Sequence, residues 1–186
     1  MTLPALDLPP WATAYDEPGR VYPTDEDRMS LAIQLSRENV ERKTGGPFGA
    51  AIFERDSHRL VAIGVNSVVR LTNCTLHAEM VAFQFAAHRV GRFTLAGEGI
   101  PAHELVTSCE PCAMCLGAVL WSGVKRVVCG AHRDDASAVD FDEGPVFPES
   151  WEYLAAREVT IVRGVRRAEA RAVLEFYRGR GPIYNG

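Results

Sequence analysis

Four side chains in two short segments of the sequence could carry chemistry. His77-Ala78-Glu79 forms the first segment, and Cys112-Ala113-Met114-Cys115, directly after Pro111, forms the second. Residues three apart lie on one face of a helix, so Cys112 and Cys115 can present both sulfur atoms to one point. His77, at the start of an earlier predicted helix, can supply a third ligand. Three protein ligands leave one tetrahedral position open for water, which is typical of a catalytic zinc site.

Glu79 lies two residues from the histidine ligand and need not bind the metal. Zinc lowers the pKa of bound water toward about 7, so Glu79 can accept the water proton and return it to a leaving group. Both ligand segments stand at predicted helix N-termini, where partial positive charge helps to hold thiolates. We therefore predict hydrolytic chemistry on one zinc ion per subunit.

These residues allow three other interpretations. A structural zinc could use Cys109 as a fourth ligand, but Cys109 precedes Pro111 and lies outside the helical turn. The cysteines could instead be ordinary buried residues. A zinc-stabilised binding module without catalysis would have no use for an unliganded acid at Glu79. The combination of H-x-E with P-C-x-x-C favours the catalytic site, because it is the signature of zinc nucleobase deaminases.

Length and composition limit the class of protein. The chain has 186 residues, 47% hydrophobic and 24% charged, which fits one globular domain. Its net charge of −4 does not favour a protein that grips nucleic acid by the phosphates. The five cysteines are an odd number, which favours a metal site over a disulfide framework and indicates a reducing cytoplasm. No apolar run approaches the roughly 18 residues of a membrane span, and the N-terminus does not read as a signal peptide.

Strand and helix patterns alternate along the chain and predict an α/β layered domain. Residues 1–23 contain five prolines and are expected to form an extended arm, followed by a single domain with a C-terminal tail over residues 24–186. One helix is predicted to start at Thr24, with Asp27 as its capping partner, and to end at Gly45-Gly46. Other helices are predicted over 78–90, 113–121 (with Pro111 in its first turn) and 167–177. Strands are predicted over 50–53, 60–65, 104–107, 125–129 and 159–162.

The chain resembles the cytidine-deaminase-like superfamily of zinc deaminases over about residues 25–180 and, within it, the bacterial guanine deaminases. Beside the zinc motif, the segments that carry this likeness are residues 45–50, Asn66, 107–112, 141–144 and 183–185. The resemblance implies a three-layer α/β fold, in which helices flank a five-stranded mixed sheet. It also implies hydrolysis of a free amino-purine, with guanine giving xanthine and ammonia.

Four residues are expected to contact the base. Phe48, in a Gly- and Pro-rich loop, could stack on it or simply pack on the core. Asn66 could bond the purine edge or serve as a turn residue. Ala78 lies between the histidine ligand and the acid. Glu143 could accept the ring N–H and amino hydrogens of guanine and act as a second proton carrier, or be an ordinary solvated acid.

Two aromatic residues complete the expected site. Trp121 ends the cysteine helix and could wall the pocket or belong to the core. The resemblance implies that Tyr184 crosses to a partner subunit and closes its site, so that the protein would be a homodimer with swapped C-terminal segments. A loose tail is the alternative.

The main alternative function is deamination of adenosine in tRNA. That family shares H-A-E and P-C-x-M-C, and the arginine-rich C-terminal region gives it some support. The net negative charge and the segment Phe141-Asp142-Glu143-Gly144 oppose it. The sequence leaves related bases and nucleosides, such as ammeline and guanosine, open as substrates.

Overall fold

The structure, a computed structural model, describes residues 5–184 and has three layers. A five-stranded sheet in the order β2-β1-β3-β4-β5 forms the middle layer. β1 pairs antiparallel with β2 and β3, whereas β3, β4 and β5 are parallel. This confirms the predicted three-layer fold with a mixed sheet. The strands are β1 Gly49–Glu54, β2 Leu60–Val65, β3 His103–Cys109, β4 Arg126–Ala131 and β5 Thr160–Val162.

Helices cover both faces of the sheet. They are α1 Asp25–Glu41, α2 Ala78–Val90, α3 Ala113–Ser122, α4 Arg133–Ser137, α5 Pro148–Ala156 and α6 Arg167–Tyr177. Alternate residues of β1 point to opposite faces: Ala51 and Phe53 join the core under α1 and α6, while Ala50 and Ile52 join the core under α2 and α3. Because both faces are covered, every residue of the central strand β3 is buried, the polar ones included.

The predicted elements agree with the structure in type and differ at several ends. Thr24 and Asp27 form the predicted capping box. α1 then ends at Glu41, before Gly45-Gly46, because those glycines belong to a separate turn. Pro111 lies outside α3, because the N-cap of α3 is Cys112. β4 runs over Arg126–Ala131, so it starts one residue and ends two residues later than the predicted strand 125–129.

The N-terminal arm differs from the prediction over Pro10–Tyr15, which forms a 3-10 helix instead of extended chain. Pro10 stands at its first position, where proline costs no hydrogen bond. The indole of Trp11 donates a hydrogen bond to Thr44 Oγ1 at 3.0 Å, so the arm lies against the domain. Short α4 and α5 were also not predicted. No helix within residues 5–184 is long and apolar enough to cross a membrane.

One edge of the sheet collects the segments that carry the predicted chemistry. The register aligns the carboxyl ends of β2 and β3 with the amino end of β1. α2 starts there in direct contact with β2, since a methyl group at Gly64 would overlap the carbonyl oxygen of Ala78 and lie 2.5 Å from Ala82 N. This close packing holds the first turn of α2, and with it His77, on the sheet.

The opposite edge is tied together by a buried ion cluster. Glu104 in β3 is fully buried, and its carboxylate lies 2.8 Å from Arg28 in α1 and 2.7 Å from Arg126 in β4. Asp25 pairs with both arginines at 2.6 Å. Its contact with Arg126 is the main reason that the pKa of Asp25 is lowered to about 2. Each buried charge has opposite charges beside it, so the cluster joins α1 to two central strands.

We expect Glu104→Gln to lower the free energy of unfolding by about 3 kcal/mol, because it removes the buried one of the two carboxylates that pair with buried Arg28 and leaves only Asp25. Urea denaturation at neutral pH measures this change. Glu17→Gln is the matched control, since Glu17 pairs with Arg20 on the surface and should change stability by less than about 1 kcal/mol. Equal stability of the two variants would contradict a structural role for the cluster.

Candidate active site

The side chains of His77, Cys112 and Cys115 converge at the edge of the sheet where the carboxyl ends of β2 and β3 lie. One ligand atom from each residue lies within 4.8 Å of the other two. His77 is the N-cap of α2, Cys112 is the N-cap of α3, and Cys115 follows one turn later. The His77 Nδ1 atom is 3.5 Å from Cys112 Sγ. Ligand atoms around a tetrahedral zinc are roughly 3.5 Å apart, so the donor set and its spacing fit zinc.

Electrostatics favour a thiolate in this group. Hydrogen bonds, first from Cys115 and then from His77, lower the pKa of Cys112 to about 4 despite its burial. The same contact with Cys112, together with burial, raises the pKa of Cys115 well above its usual value. Burial lowers the pKa of His77, but its contacts with Cys112 and the charge of Glu79 outweigh that and raise it. Metal binding must displace the protons that remain.

The other cysteines do not complete a four-ligand site. Cys109 is buried, and its thiol donates to the carbonyl of His132 at 3.7 Å. The group that could hold a metal contains no fourth residue among those that the structure describes. Cys74 is exposed and lies on the wall of the neighbouring cavity. The three-ligand arrangement leaves room for water, as predicted for a catalytic site.

Glu79 lies beside the ligands without joining them. Its carboxyl group is buried and accepts hydrogen bonds from Thr107 Oγ1 at 3.3 Å and from Cys115 Sγ at 3.4 Å. Burial, followed by the charge of Cys112, raises its pKa. A raised pKa makes a carboxyl group a better proton acceptor, which suits proton transfer. Sequence reasoning missed Thr107, although it stands in β3 five residues before the first cysteine ligand.

A cavity of about 530 Å³ opens next to the ligands, enough for a nucleobase. His77, Cys112, Met114, Glu143, Ile183 and Tyr184 are among the residues that line it. Met114 and Ile183 were not predicted as site residues. Met114 lies between the two cysteine ligands in sequence, which is the one signal that could have indicated it.

The loop at Glu143 is shaped by its neighbours. The carbonyl of Glu143 accepts a hydrogen bond from Ala113 N at 2.9 Å, and Asp142 Oδ1 accepts one from Gly144 N at 2.8 Å. Gly144 has φ +68°, which favours glycine. These bonds fasten the loop to the start of α3 and put the Glu143 side chain on the cavity wall. Burial, then the charges of Cys112 and Glu79, raise the pKa of Glu143 to about 8.

Asn66 and Phe48 lie at the same edge but outside the residues that line the cavity. Asn66 is fully buried at the end of β2, where its Oδ1 accepts a hydrogen bond from Val68 N at 3.4 Å. Its Nδ2 is buried and has no partner among residues 5–184. Phe48 is half-buried, packs against both cores, and meets the ring of Phe141 edge-on at 5.0 Å. A buried donor without a partner fits an acceptor on a ligand.

Two residues that were predicted to contact the substrate are not among those that line the cavity. The Trp121 side chain is 80% exposed at the end of α3 and is not among the residues that line the cavity, so it neither walls the pocket nor belongs to the core within this chain. The reason is helical phase: Trp121 points away from the buried face formed by Cys115, Leu116 and Val119. The Ala78 side chain is fully buried against the sheet.

Tyr184 lies over the site of its own chain. Its ring meets His77 edge-on at 6.3 Å and Phe141 at 5.3 Å. The Tyr184 hydroxyl is buried and has no hydrogen-bond partner in the described part of the chain. Burial raises the pKa of this hydroxyl well above its usual value, so it remains protonated. Asn185, which belongs to the motif at the C-terminus, lies outside the described residues.

Family comparison agrees with this geometry. The model for the cytidine and deoxycytidylate deaminase zinc-binding region matches residues 23–131, which include all three ligands and Glu79. The chain belongs to this family of zinc deaminases. Guanine deaminase from Bacillus subtilis is 37% identical over 67% of this chain and 75% of its own. The tRNA-specific adenosine deaminase of Haemophilus influenzae is also similar, with 32% identity over 62% of each chain.

Solved structures of relatives cover nearly the whole chain. Guanine deaminase from Nitrosomonas europaea is 43% identical, covers 94% of this chain and 96% of its own, and superposes with a TM-score of 0.89. A structure in complex with 8-azaguanine is 42% identical, with 95% and 97% coverage and a TM-score of 0.90. The family model ends at residue 131. The similarity to these structures therefore extends beyond residue 131, into the part of this zinc deaminase that follows the zinc-binding region.

Replacing a ligand should remove the metal. We expect Cys112→Ser to lose most of its bound zinc, because the thiolate with the lowered pKa is absent, while Cys109→Ser keeps about one zinc per chain. Elemental analysis of both purified variants after dialysis measures this difference. Zinc loss in Cys109→Ser, with Cys112→Ser still loaded, would contradict the assignment of ligands.

Proposed function

We propose that this zinc deaminase hydrolyses free guanine to xanthine and ammonia. The observation that carries the proposal is Glu143, a second carboxyl group on the wall of the cavity that the zinc ligands share. Relatives named guanine deaminase support the same substrate.

Guanine matches the polar groups around this cavity. Its ring N–H and exocyclic amino group are adjacent donors that the Glu143 carboxylate can accept together in its ionised form. A bound zinc ion favours that form, because it offsets the nearby negative charges that raise the pKa of Glu143. The buried Asn66 Nδ2 offers a donor for an acceptor on the purine. Phe48 and Tyr184 supply apolar ring surface near the site, as a flat base requires. The substrate proposed is therefore a free base with both donor and acceptor edges.

The residues divide the reaction between them. When bound, zinc supplies Lewis acidity that makes a water molecule nucleophilic at neutral pH. Glu79 accepts a proton as the water oxygen attacks the carbon that bears the amino group. It passes that proton to the ring nitrogen, then accepts the remaining proton of the attacking water and passes it to the leaving amino group, so that one water is consumed and one ammonia is released. The hydrogen bond from Thr107 keeps one Glu79 oxygen in place during these transfers. Glu143 holds the base and can relay a proton.

Deamination of adenosine in tRNA is the second candidate, because such enzymes are among the relatives. It needs cations that are free to meet phosphates. Three of the C-terminal arginines are instead paired with acids: Arg166 with Glu169, Arg167 with Asp135, and Arg171 with Glu175. This pairing favours the free base over a polynucleotide.

The setting of the enzyme is part of the proposal. Metal-binding thiols and the exposed thiol of Cys74 suit a reducing cytoplasm. A homodimer remains our expectation, with or without exchange of the C-terminal segments. Gel filtration with light scattering at the assay concentration measures the oligomeric state.

Purified zinc-loaded protein should release ammonia from guanine, and Glu79→Gln should lower kcat roughly 10²- to 10⁴-fold while retaining zinc, because Glu79 transfers protons and is not a ligand. Coupled ammonia detection and elemental analysis measure both quantities. Glu98→Gln is the matched control, because Glu98 is exposed.

A panel with ammeline, guanosine and an RNA stem-loop separates the alternatives. Conversion of adenosine in the stem-loop without turnover of guanine would overturn the proposed substrate. Full activity of Glu79→Gln would overturn the proposed mechanism.

A further inference from the structure

The turn between α1 and β1 touches two parts of the site at once. A methyl group at Gly45 would overlap the carbonyl oxygen of Asn66, and one at Gly46 would overlap the hydroxyl of Tyr184. The Gly46 methyl would also lie 2.8 Å from Cζ and 3.0 Å from Cε1 of that ring. The tyrosine ring therefore rests directly on the backbone of Gly46. No side chain larger than hydrogen fits there while Tyr184 stays in place.

The Gly46 backbone cannot easily retreat from the ring. Asn39, fully buried in α1, donates hydrogen bonds from Nδ2 to the carbonyls of Gly46 and Asn66, both at 2.9 Å. The carbonyl of Gly46 also accepts a hydrogen bond from Phe48 N at 2.9 Å. The Ser36 hydroxyl donates to the carbonyl of Pro47 at 2.7 Å. Because the turn is held on several sides, added bulk at Gly46 must displace the tyrosine instead.

The position of Tyr184 matters for the cavity. Tyr184 and Ile183 form one wall of the cavity whose other walls include His77, Cys112 and Glu143. Besides Gly46, the ring meets Phe141 and His77 edge-on and packs against the core under α1 and α6, while its hydroxyl has no hydrogen-bond partner in residues 5–184. Displacement of the ring would widen the cavity beside the zinc ligands.

We infer that Gly46 is a positioning residue: its backbone holds the ring of Tyr184 in the position in which the C-terminal segment closes the base-binding cavity. Asn39 holds the backbone of Gly46 in place and also bonds the carbonyl of Asn66. The Tyr184 side and the Asn66 side of the base-binding site are therefore held by the same residue. This inference rests on the proposed deaminase function and adds residues outside the zinc motif that set the fit of the substrate.

A double-mutant cycle on Gly46 and Tyr184 tests this directly. The φ angle of Gly46 lies outside the left-handed region, so alanine fits its backbone conformation. We expect Gly46→Ala to lower kcat/KM for guanine roughly 10- to 100-fold, mainly through KM, with zinc content unchanged. Tyr184→Ala should cause a similar loss. The double variant should match Tyr184→Ala within about twofold, because Gly46→Ala then has no ring left to displace.

Two further alanine variants make the cycle specific. Gly117 is exposed in α3, and a methyl group there meets no atom within 4 Å. Gly117→Ala should therefore keep the activity of the unaltered protein. Gly45→Ala should lose activity, but Tyr184→Ala should not mask that loss, because Gly45 contacts Asn66 rather than the tyrosine. The expected pattern is the same if the C-terminal segment crosses to a partner, since every subunit carries both changes.

Two results would overturn the inference. Unaltered kinetics of Gly46→Ala is one, and a double variant that shows the product of both single losses is the other. If Gly46→Ala does not fold, Tyr184→Ala should restore its folding and zinc content, and failure to do so would equally overturn the inference. The proposed function is tested separately: it fails if the unaltered protein does not turn over guanine, in which case the cycle is measured with the base that it does turn over.

Discussion

The site depends on two helix N-termini meeting at one edge of the sheet. α2 and α3 both begin there, with His77 and Cys112 as their N-caps. Their free backbone N–H groups and aligned dipoles give this point a positive potential in a buried setting. Thiolates and a catalytic carboxylate can therefore be placed close together. The direct contact of Gly64 with the first turn of α2 sets the distance between α2 and the sheet.

Crowding of acidic groups gives the site its chemistry. Glu79, Glu143 and the Cys112 thiolate share one desolvated region. Burial, then the charge of Cys112, raises the pKa of both carboxyl groups, and the charge of Glu79 adds to the rise at Glu143. A divalent cation at the ligands offsets this negative charge. Carboxyl groups with raised pKa values suit proton transfer. The buried ion cluster at the far edge, in which Glu104 lies between Arg28 and Arg126, joins α1 to the strands that carry this site.

Much of this arrangement could be predicted from the sequence, because local rules govern it. The i, i+3 spacing of the cysteines and the helix starts determined the ligand set, and the alternation of apolar strands and helices determined the layers. Trp121 shows the limit of such reasoning: position at the end of the cysteine helix does not reveal that its side chain points to solvent. The sequence did not reveal the roles of Thr107 and Met114 or the contact of Gly46 with Tyr184, because these arise between segments far apart in the chain. Whether a glycine marks a turn or a close approach is decided by its neighbours in space.

We expect three protein ligands to hold zinc in this site and to leave one coordination position open. X-ray absorption at the zinc K-edge of the purified enzyme measures the ligand set directly. The account predicts about two sulfur atoms near 2.3 Å and about two nitrogen or oxygen atoms near 2.0 Å, the second of these from solvent. A shell of three or four sulfur atoms, or one without sulfur, would contradict it.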